Sequence, residues 1–214
     1  MRTPRLFLAL ALVVVLPACG DDGGVDTSGD ATDAPAVLPS LVGTWRALPS
    51  AFDAVPRPIA ARNRLAYGAD LSLVTTYDGQ MRTYDYAVNG DFITATARDA
   101  EEPRSKGYRH HIVGGMMLDQ AMTPMTPGAG LANVWFGRGT QNGAQLDMTW
   151  DLRANMTARV TLDGGTAQQV YDGTWEGRNG TDVYIVVMID DITPMGYLGA
   201  MLDDQLGVPY ELLP

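Results

Sequence analysis

The sequence predicts an all-β fold, either an antiparallel β-barrel or a two-sheet β-sandwich. Short segments alternate apolar and polar residues with a period of two, which is the pattern of a strand that buries one face. Turn signals such as Asn89-Gly90 and Asp163-Gly164 separate these segments. About nine closely spaced strands with Gly and Asp turns are typical of both architectures.

Residues 1–18 are predicted to be a signal peptide. Arg2 and Arg5 precede the apolar run Leu6–Leu16, which is shorter than the ~20 residues that cross a bilayer as a helix. The stretch Leu16-Pro17-Ala18-Cys19 resembles the lipobox of bacterial lipoproteins. The resemblance implies cleavage before Cys19, lipid attachment to this residue and anchoring of the exported protein to a membrane. The alternative is an ordinary cleaved signal in which the cysteine is incidental.

Residues 19–39 are predicted to be a disordered tether between the lipid and the folded domain. The stretch is rich in Asp and Gly and has no Lys or Arg, so it has little apolar surface to bury. Flexibility and self-repulsion keep such a segment extended in water. Because Gly20 rather than Asp follows the cysteine, the lipoprotein resemblance favours the outer membrane over the inner membrane.

Charge and cysteine content exclude several classes of function. The chain has 25 acidic and 15 basic residues, for a formal net charge of −10. A nucleic-acid partner is not expected, because phosphate binding needs a basic surface. Cys19 is the single cysteine, which excludes an intrachain disulfide and a Cys-rich zinc module. The folded domain is assigned to residues 40–214.

The strands of this domain are predicted from the alternation and from the turns between them. In Ala144–Leu152, the even-numbered residues are apolar and the odd-numbered residues are polar. The other predicted strands are Gly43–Leu48, Leu71–Tyr77, Gln80–Val88, Phe92–Arg98, Tyr108–Val113, Leu131–Gly137, Met156–Leu162, Thr166–Trp175 and Asp182–Asp190.

Four segments lack this alternation. Ser50–Arg64 contains two prolines and predicts a helical turn near residues 59–65. Asp99–Gly107 is predicted to be a charged loop, and Met116–Gly130 a loop rich in Met, Pro and Gly. Gly196–Leu206 has apolar residues at helical spacing and predicts a short C-terminal helix.

One hairpin motif recurs in the sequence. Asp78-Gly79 precedes Tyr86 at the same separation as Asp163-Gly164 precedes Tyr171, and an Asn-Gly turn follows each tyrosine. Common strand–turn–strand chemistry explains a match that covers a single hairpin, so the motif alone does not indicate a duplication.

The stretch Leu41-Val42-Gly43-Thr44-Trp45 resembles the opening motif of lipocalins and related calycins. The resemblance covers about residues 40–190 and implies an up-and-down barrel of about eight to nine strands that binds a small apolar ligand. It also implies that Trp45 closes one end of the barrel beneath an arginine, for which Arg178 is the nearest candidate. Gly173-Thr174-Trp175 repeats the last three residues of the motif.

Five large side chains on the predicted strands are candidates for the lining of a ligand cavity: Tyr84, Tyr86, Met148, Trp150 and Met156. The same residues can equally fill a core. Two functions are therefore open. One is a lipid-anchored barrel that binds a small apolar ligand. The other is a non-enzymatic structural or interaction protein of the cell envelope with a filled barrel.

The sequence predicts no catalytic residue, no metal site and no cofactor. No Ser lies in a Gly-x-Ser-x-Gly turn, and neighbouring carboxylates do not by themselves form an acid–base pair. His110 and His111 are adjacent on a predicted strand, so their side chains point to opposite faces. The methionines that follow, among them Met122 and Met125, could bind Cu(I), or they could fill gaps in a core.

Overall fold

The computed structural model describes residues 40–48, 63–77, 79–98, 104–190 and 192–214 as an all-β fold. Its strands are β1 (Gly43–Ala47), β2 (Arg64–Tyr67), β3 (Ser72–Tyr77), β4 (Gln80–Asn89), β5 (Phe92–Ala97), β6 (Ser105–Val113), β7 (Met116–Pro124), β8 (Val134–Gln141), β9 (Ala144–Leu152), β10 (Thr157–Asp163), β11 (Gln168–Arg178), β12 (Asp182–Met188), β13 (Pro194–Leu202) and β14 (Gln205–Leu212).

The signal peptide, Cys19, the tether and residues 59–62 of the predicted helical turn lie outside the described residues. Residues 64 and 65 of that predicted turn belong instead to β2. Within the described ranges, no helix is long and apolar enough to cross a membrane.

All fourteen strands belong to one antiparallel sheet whose order closes into a ring. Strands that follow one another in the chain are neighbours, and β1 pairs with β14 to complete the ring. This confirms the predicted all-β antiparallel class. The predicted number of strands was too low, because the sequence gives no period-two signal for β2, β7, β13 and β14.

A second pairing crosses the ring and divides it into two circuits. β7 pairs with β14 along most of its length, from Met116 opposite Glu211 to Met122 opposite Leu206. The first circuit runs from β1 to β7 and closes through β14, and the second runs from β7 to β14. On its other edge, β7 pairs first with β6 and then with β8.

Each circuit has its own hydrophobic core. The first core contains Trp45, Tyr67, Tyr84, Tyr86, Ile93, Met117 and Tyr210, among others. The second contains Met122, Trp135, Met148, Trp150, Trp175, Ile185 and Leu206, among others. The shared strands β7 and β14 contribute to both cores.

The two halves of the chain, β1–β7 and β8–β14, share several local features. The indole N–H of Trp45 donates to the carbonyl oxygen of Leu41 at 2.8 Å, and that of Trp135 donates to Leu131 at 3.1 Å. Gly107-Tyr108 of β6 corresponds to Gly196-Tyr197 of β13.

The turns repeat as well. The β6–β7 turn at Gly114-Gly115 and the β13–β14 turn at Asp203-Asp204 both have two residues with positive φ. Two-residue turns of this kind match the twist of an antiparallel hairpin. The recurrence therefore extends from the first strand of each half to the last, well beyond the hairpin that the sequence shows.

The predicted C-terminal helix is wrong, because Gly196–Leu206 forms most of β13, a tight turn and the start of β14. β13 is partly buried on both faces, so it has no period-two pattern. Gly199 lets the neighbouring backbone approach closely, since a Cβ atom there would lie 3.2 Å from the carbonyl oxygen of Gly207. The apolar residues of Gly196–Leu206 therefore have a spacing that resembles a helix because both faces of this strand pack against other residues.

The predicted Met-rich loop at Met116–Gly130 is also wrong over its first part, which is β7. Met117 and Leu118 are both buried, as are Ala121 and Met122. Burial in adjacent pairs arises because β7 lies between the two circuits and packs on both faces. The segment after Pro124 remains a turn-rich connection to β8.

Candidate functional site

The candidate site lies where β6 meets β7 in the first circuit. His110 of β6 lies directly opposite Asp119 of β7, and Ile112 lies opposite Met117. Because strand side chains alternate between faces, His110 and Asp119 lie on the same face as Met117, which is part of the first core. A pair of polar side chains thus lies beside an otherwise apolar core.

The side chains of Tyr67, His110 and Asp119 contact one another, and we call them the His110 cluster. His110 Nε2 lies 3.0 Å from Asp119 Oδ1 and 3.3 Å from the hydroxyl of Tyr67. His110 Nδ1 lies 3.1 Å from the carbonyl oxygen of Tyr108. The exposed fractions of the His110 and Asp119 side chains are 6% and 20%, so water screens this pair weakly.

Both ring nitrogens of His110 have polar neighbours within the protein. Nδ1 faces the carbonyl oxygen of Tyr108, which can only accept a hydrogen bond. Nε2 faces the Asp119 carboxylate and the hydroxyl of Tyr67. The polar atoms of the imidazole are therefore engaged within the cluster.

Asp119 remains ionised in this setting. Burial is the largest single influence and raises the pKa of the Asp119 carboxyl, whereas the hydrogen bond and charge of His110 lower it. The charge of Lys106 and the backbone N–H of Gln120 act in the same direction, and the net pKa is lower than usual.

Phenol groups surround the carboxylate. Burial, followed by the negative charge of Asp119, raises the pKa of Tyr108 to about 12. The same two causes raise the pKa values of Tyr67 and Tyr210. These phenols therefore remain neutral and stay available as hydrogen-bond donors.

An aromatic column ends at His110. The rings of Tyr86 and Tyr67 meet edge to face, with centroids 5.2 Å apart and an interplanar angle of 89°. The rings of Tyr67 and His110 repeat this arrangement at 6.4 Å and 88°. The hydroxyl of Tyr86 donates to the carbonyl oxygen of Gly68 at 2.8 Å, which fixes the end of the column opposite His110.

A cleft of about 240 Å3 lies beside His110, at one end of this column. Ile93, His110 and Ile112 line it, together with Ser40 and the β4–β5 turn at Gly90-Asp91. The backbone N–H of His110 donates to the carbonyl oxygen of Asp91 at 2.7 Å. The cleft is therefore built on two hydrogen-bonded strands.

The charge at the rim of the cleft is neutralised locally. Asp91 Oδ2 lies 2.6 Å from Arg109 Nη2 in an exposed ion pair. Deeper in the protein, the Asp119 carboxylate contacts His110 at 3.0 Å. A ligand in the cleft would therefore meet aliphatic side chains and an imidazole ring, with no uncompensated charge.

Among the described residues, the second circuit has no counterpart of this cluster at the equivalent positions. His110 is two residues after the Gly-Tyr pair of β6, and the residue at this position in β13 is Gly199. Asp119 is four residues after the β6–β7 turn, and the residue at this position after the β13–β14 turn is Val208. The second core is also tightly filled. A Cβ atom at Gly137 would lie 3.0 Å from Met122 Cγ and 3.2 Å from Met148 Cε.

The five predicted cavity-lining residues do not come together. Tyr84 and Tyr86 are buried in the first core, whereas Met148 and Trp150 are buried in the second. Met156 lies in the β9–β10 turn with φ of 64° and is 52% exposed, so it lines neither core. The prediction for Met156 fails because the tight turn extends one residue further than the alternation indicates.

The predicted barrel-end residues also fall in different places. Trp45 is fully buried in the first core, and Gly43 lets β1 approach β14, since a Cβ atom there would lie 2.6 Å from Leu212 Cδ1. Arg178 ends β11 in the second circuit, where it pairs with Glu176 at 3.0 Å. The structure therefore places Arg178 and Trp45 in different circuits.

The polar contacts of His110 are made to groups other than Ser40. Ser40 borders the cleft, but the nitrogens of His110 already contact Tyr108, Asp119 and Tyr67. Across the described ranges, no group of three or more His, Cys, Asp or Glu side chains is placed to hold a metal ion.

The other residues considered for Cu(I) are dispersed. His111 lies 3.6 Å from Asp203 Oδ2, away from the His110 cluster. Met117 is in the first core, Met122 is in the second, and Met125 is 70% exposed. These side chains share no common site.

No known protein-family model matches the chain, and no curated protein or solved structure shows significant similarity to it. A functional proposal must therefore rest on the residues and geometry of this chain. Asp119 was missed at the sequence level because its segment lacks strand periodicity, although the adjacent His110-His111 pair drew attention to β6.

Proposed function

We propose that the chain is an exported bacterial lipoprotein whose lipocalin-like domain binds a small, mainly apolar ligand. The ligand occupies the cleft between Ile93 and Ile112 and contacts His110. The protein is a binding module rather than an enzyme. The observation that carries this proposal is the His110 cluster, which borders an open cleft within an otherwise apolar interior.

The energetics of the cluster support a role other than folding. A buried ion pair is a weak source of stability, because desolvation of the two charges offsets their attraction. The second half builds the same seven-strand arrangement with Gly199 and Val208 in place of the pair. The pair is thus dispensable for this architecture and adjoins the cleft, as expected for a functional site.

The size of the cleft limits the ligand. Ligand pockets usually have volumes of ~300–1,000 Å3, so a cleft of about 240 Å3 holds a small molecule or one end of a larger one. The two interiors are occupied by side chains, including the fully buried Trp45 and Trp135. We therefore place the ligand at the mouth of the first circuit.

The anchor belongs to the proposal through the lipobox resemblance. A lipid on Cys19 followed by a solvated tether would hold the folded domain at a membrane, with the outer membrane favoured. Metabolic labelling with a fatty-acid probe tests this step. We expect the full-length chain to be labelled and Cys19→Ala to be unlabelled, and equal labelling of the two would refute the anchor.

Binding is tested by NMR of isoleucine methyl groups in the full-length chain. We expect millimolar cyclohexylmethanol or benzyl alcohol to shift the Ile93 and Ile112 methyl signals. Ile112→Trp should fill the cleft and abolish the shift at Ile93. Val113→Trp is the matched control, because Val113 is the next residue, lies on the opposite face and is 38% exposed.

A second candidate function is an interaction protein with no small ligand. The filled cores favour it, because large side chains such as Trp135 and Ile185 are fully buried there. This alternative predicts that neither alcohol shifts the two methyl signals and that no small molecule co-purifies in native mass spectrometry. Such a result would replace the binding proposal.

A further inference from the structure

We propose that Val37 and Leu38, the last aliphatic residues of the tether, are the chain's own occupant of the cleft, and that a ligand binds by displacing them. This inference rests on the proposed function and adds regulation of the same site. It is carried by the place of Ser40 in the cleft, by the sequence before Ser40 and by the equivalent connection in the second half.

The chain enters the folded domain at the cleft. Ser40 lines the cleft and is exposed, whereas the next residue, Leu41, is fully buried. The carbonyl oxygen of Leu41 accepts the indole N–H of Trp45 at 2.8 Å, which fixes this point of entry. Each residue of an extended chain spans at most ~3.3–3.6 Å, so the Cα atom of Leu38 lies no further than about 7 Å from that of Ser40. Leu38 is therefore always within reach of the cleft.

The segment before Ser40 differs in composition from the rest of the tether. Residues 34–39 read Ala-Pro-Ala-Val-Leu-Pro and carry no charge, whereas residues 20–33 contain five Asp. Because a residue that precedes proline is restricted to extended conformations, Pro39 limits the backbone of Leu38. A segment with fewer conformations loses less entropy when it docks.

The cleft suits an aliphatic occupant. Ile93 and Ile112 line it, and Ile93 belongs to the first core. Contact of Val37 or Leu38 with these isoleucines removes apolar surface from water, which is favourable. The ion pair at the rim is already formed between two residues of the protein, so an uncharged occupant leaves it intact.

The second half of the chain contains a described counterpart of this segment. The indole bond that Trp45 makes to Leu41 recurs at Trp135. Aligned on the two tryptophans, Leu38 corresponds to Gly128, in the connection from β7 to β8. The backbone N–H of Gly128 donates to a side chain of the β13–β14 turn at 3.1 Å. In the second half, the segment before the first strand is thus tied to the last turn.

The first half lacks the side chain that forms this tie. The acceptor of the Gly128 bond is Asp204, and the residue at the same place in the β6–β7 turn is Gly115. Glycine has no side-chain acceptor for a hydrogen bond. The occupant of the first-circuit cleft is therefore held by apolar contact without this tie, and a small apolar ligand can displace it.

A variant that removes the occupant tests the inference on the full-length chain. Val37→Asp/Leu38→Asp replaces both aliphatic side chains by charged ones, whose burial is costly, so the cleft should be left free. We expect the Ile93 and Ile112 methyl NMR signals to move without ligand, while that of Ile185 in the second core stays in place. Cyclohexylmethanol, measured on the same signals, should bind about three- to ten-fold more tightly than to the unaltered chain, because an occupied cleft lowers the apparent affinity.

The control for this variant adds the same two charges elsewhere in the tether. Val25→Asp/Ala31→Asp keeps Val37 and Leu38 and should leave both the methyl signals and the affinity for cyclohexylmethanol unchanged.

A second variant should act in the opposite direction. Gly115→Asp supplies a carboxylate at the place of Asp204, so it should strengthen the tie and weaken the binding of cyclohexylmethanol. A Cβ atom at Gly115 would meet nothing within 4 Å, and Asp tolerates the positive φ of 79° found there. Gly114→Asp is its control, because it adds the same charge at the place of Asp203, which does not accept the Gly128 bond.

The failure of this inference is distinguishable from failure of the proposed function. Equal affinities of the unaltered chain and Val37→Asp/Leu38→Asp, with ligand shifts in both, would overturn the inference and leave the cleft as a binding site. Equal tightening in the Val25→Asp/Ala31→Asp control would overturn it as well. Ligand shifts in Val37→Asp/Leu38→Asp alone would support full occupation of the cleft. The absence of a ligand shift in every chain would overturn the proposed function and the inference together. If Gly115→Asp does not fold, the two tether variants decide the matter.

Discussion

Met122 of β7 lies directly opposite Leu206 of β14, and both side chains belong to the second core. Earlier on β7, Met117 lies opposite Tyr210, and both of these belong to the first core. The two strands therefore pass from one core to the other together. Gln120, with φ of 56°, lies on β7 between these two pairs. Neither half of the chain can close its circuit without the last strand of the other half.

The two halves are therefore expected to assemble from separate chains. The coding sequence can be split between Pro127 and Gly128, in the connection from β7 to β8. The two resulting fragments each carry seven strands. We expect the co-expressed fragments to co-purify through a tag on one of them and to give a cooperative thermal transition. Fragments expressed singly should aggregate, because each exposes unpaired strand edges.

A matched control separates assembly from non-specific association of the fragments. Met122→Asp in the first fragment places a charge in the second core opposite Leu206 and should abolish co-purification. Met125→Asp, a few residues further along and 70% exposed, should leave it unchanged. Single fragments that fold alone as monomers would contradict the exchange of strands.

The two equivalent tryptophans are expected to stabilise the two halves to a similar extent. Trp45→Phe and Trp135→Phe each remove an indole N–H and leave the carbonyl oxygen of Leu41 or Leu131 without that donor in a buried setting. An unsatisfied buried acceptor costs about 1–3 kcal/mol. Urea unfolding should show losses of this size for both variants. Trp175→Phe should cost less, because its acceptor, the carbonyl oxygen of Arg153, belongs to an exposed turn.

The strands with one buried face could be predicted from the sequence, and those with two could not. Ala144–Leu152 alternates cleanly because its partners β8 and β10 leave one face to water. β7 buries residues in adjacent pairs on both faces, so its sequence has no period of two. The sequence did not predict β13 and β14 for the same reason. The short turn between them, at Asp203-Asp204, contains no glycine that would indicate a turn.

The candidate site could be predicted only in part. The alternation of β6 indicated that His110 and His111 point to opposite faces, and their partners, Asp119 and Asp203, lie in different places. The partner of His110 could not be identified, because pairing depends on the register between β6 and β7. That register follows from a two-residue turn in a hairpin whose second strand was not recognised.

The stability of the fold is expected to depend on the ionisation of Asp119 at acid pH. Its pKa in the folded chain lies below the usual ~3.9, so the unfolded chain takes up this proton first as the pH falls. The contribution is fully present above the unfolded pKa and is lost as the pH falls through the folded pKa. Asp119→Asn should therefore destabilise the chain by about 3–5 kcal/mol at pH 7 and by less as the pH approaches 3.

Urea unfolding of both chains between pH 7 and pH 3 measures this difference. Asp172→Asn is the control, because the hydrogen bond from exposed Arg159 also lowers the pKa of Asp172. Water and salt screen that pair, so the control should have a small effect that salt removes. A difference for Asp119→Asn that stays constant down to pH 3 would contradict an ionised Asp119.

Replacement of the whole His110–Asp119 pair is expected to cost far less than removal of either member. His110→Leu alone leaves a buried carboxylate unpaired, and Asp119→Val alone leaves a buried imidazole without its acceptor, so each should cost about 3–5 kcal/mol. The double variant approaches the apolar composition of the second circuit, where Val208 holds the position of Asp119. Its stability should lie within about 1–2 kcal/mol of the unaltered chain, because a buried ion pair is often no more stable than an apolar replacement.

The exposed pair Arg98–Asp85 is the control, and its cycle of single and double variants should be nearly additive. A His110–Asp119 double variant that loses the sum of both single effects would show that the pair supports the fold. A stable double variant that loses benzyl alcohol binding would instead support retention of the pair for the cleft.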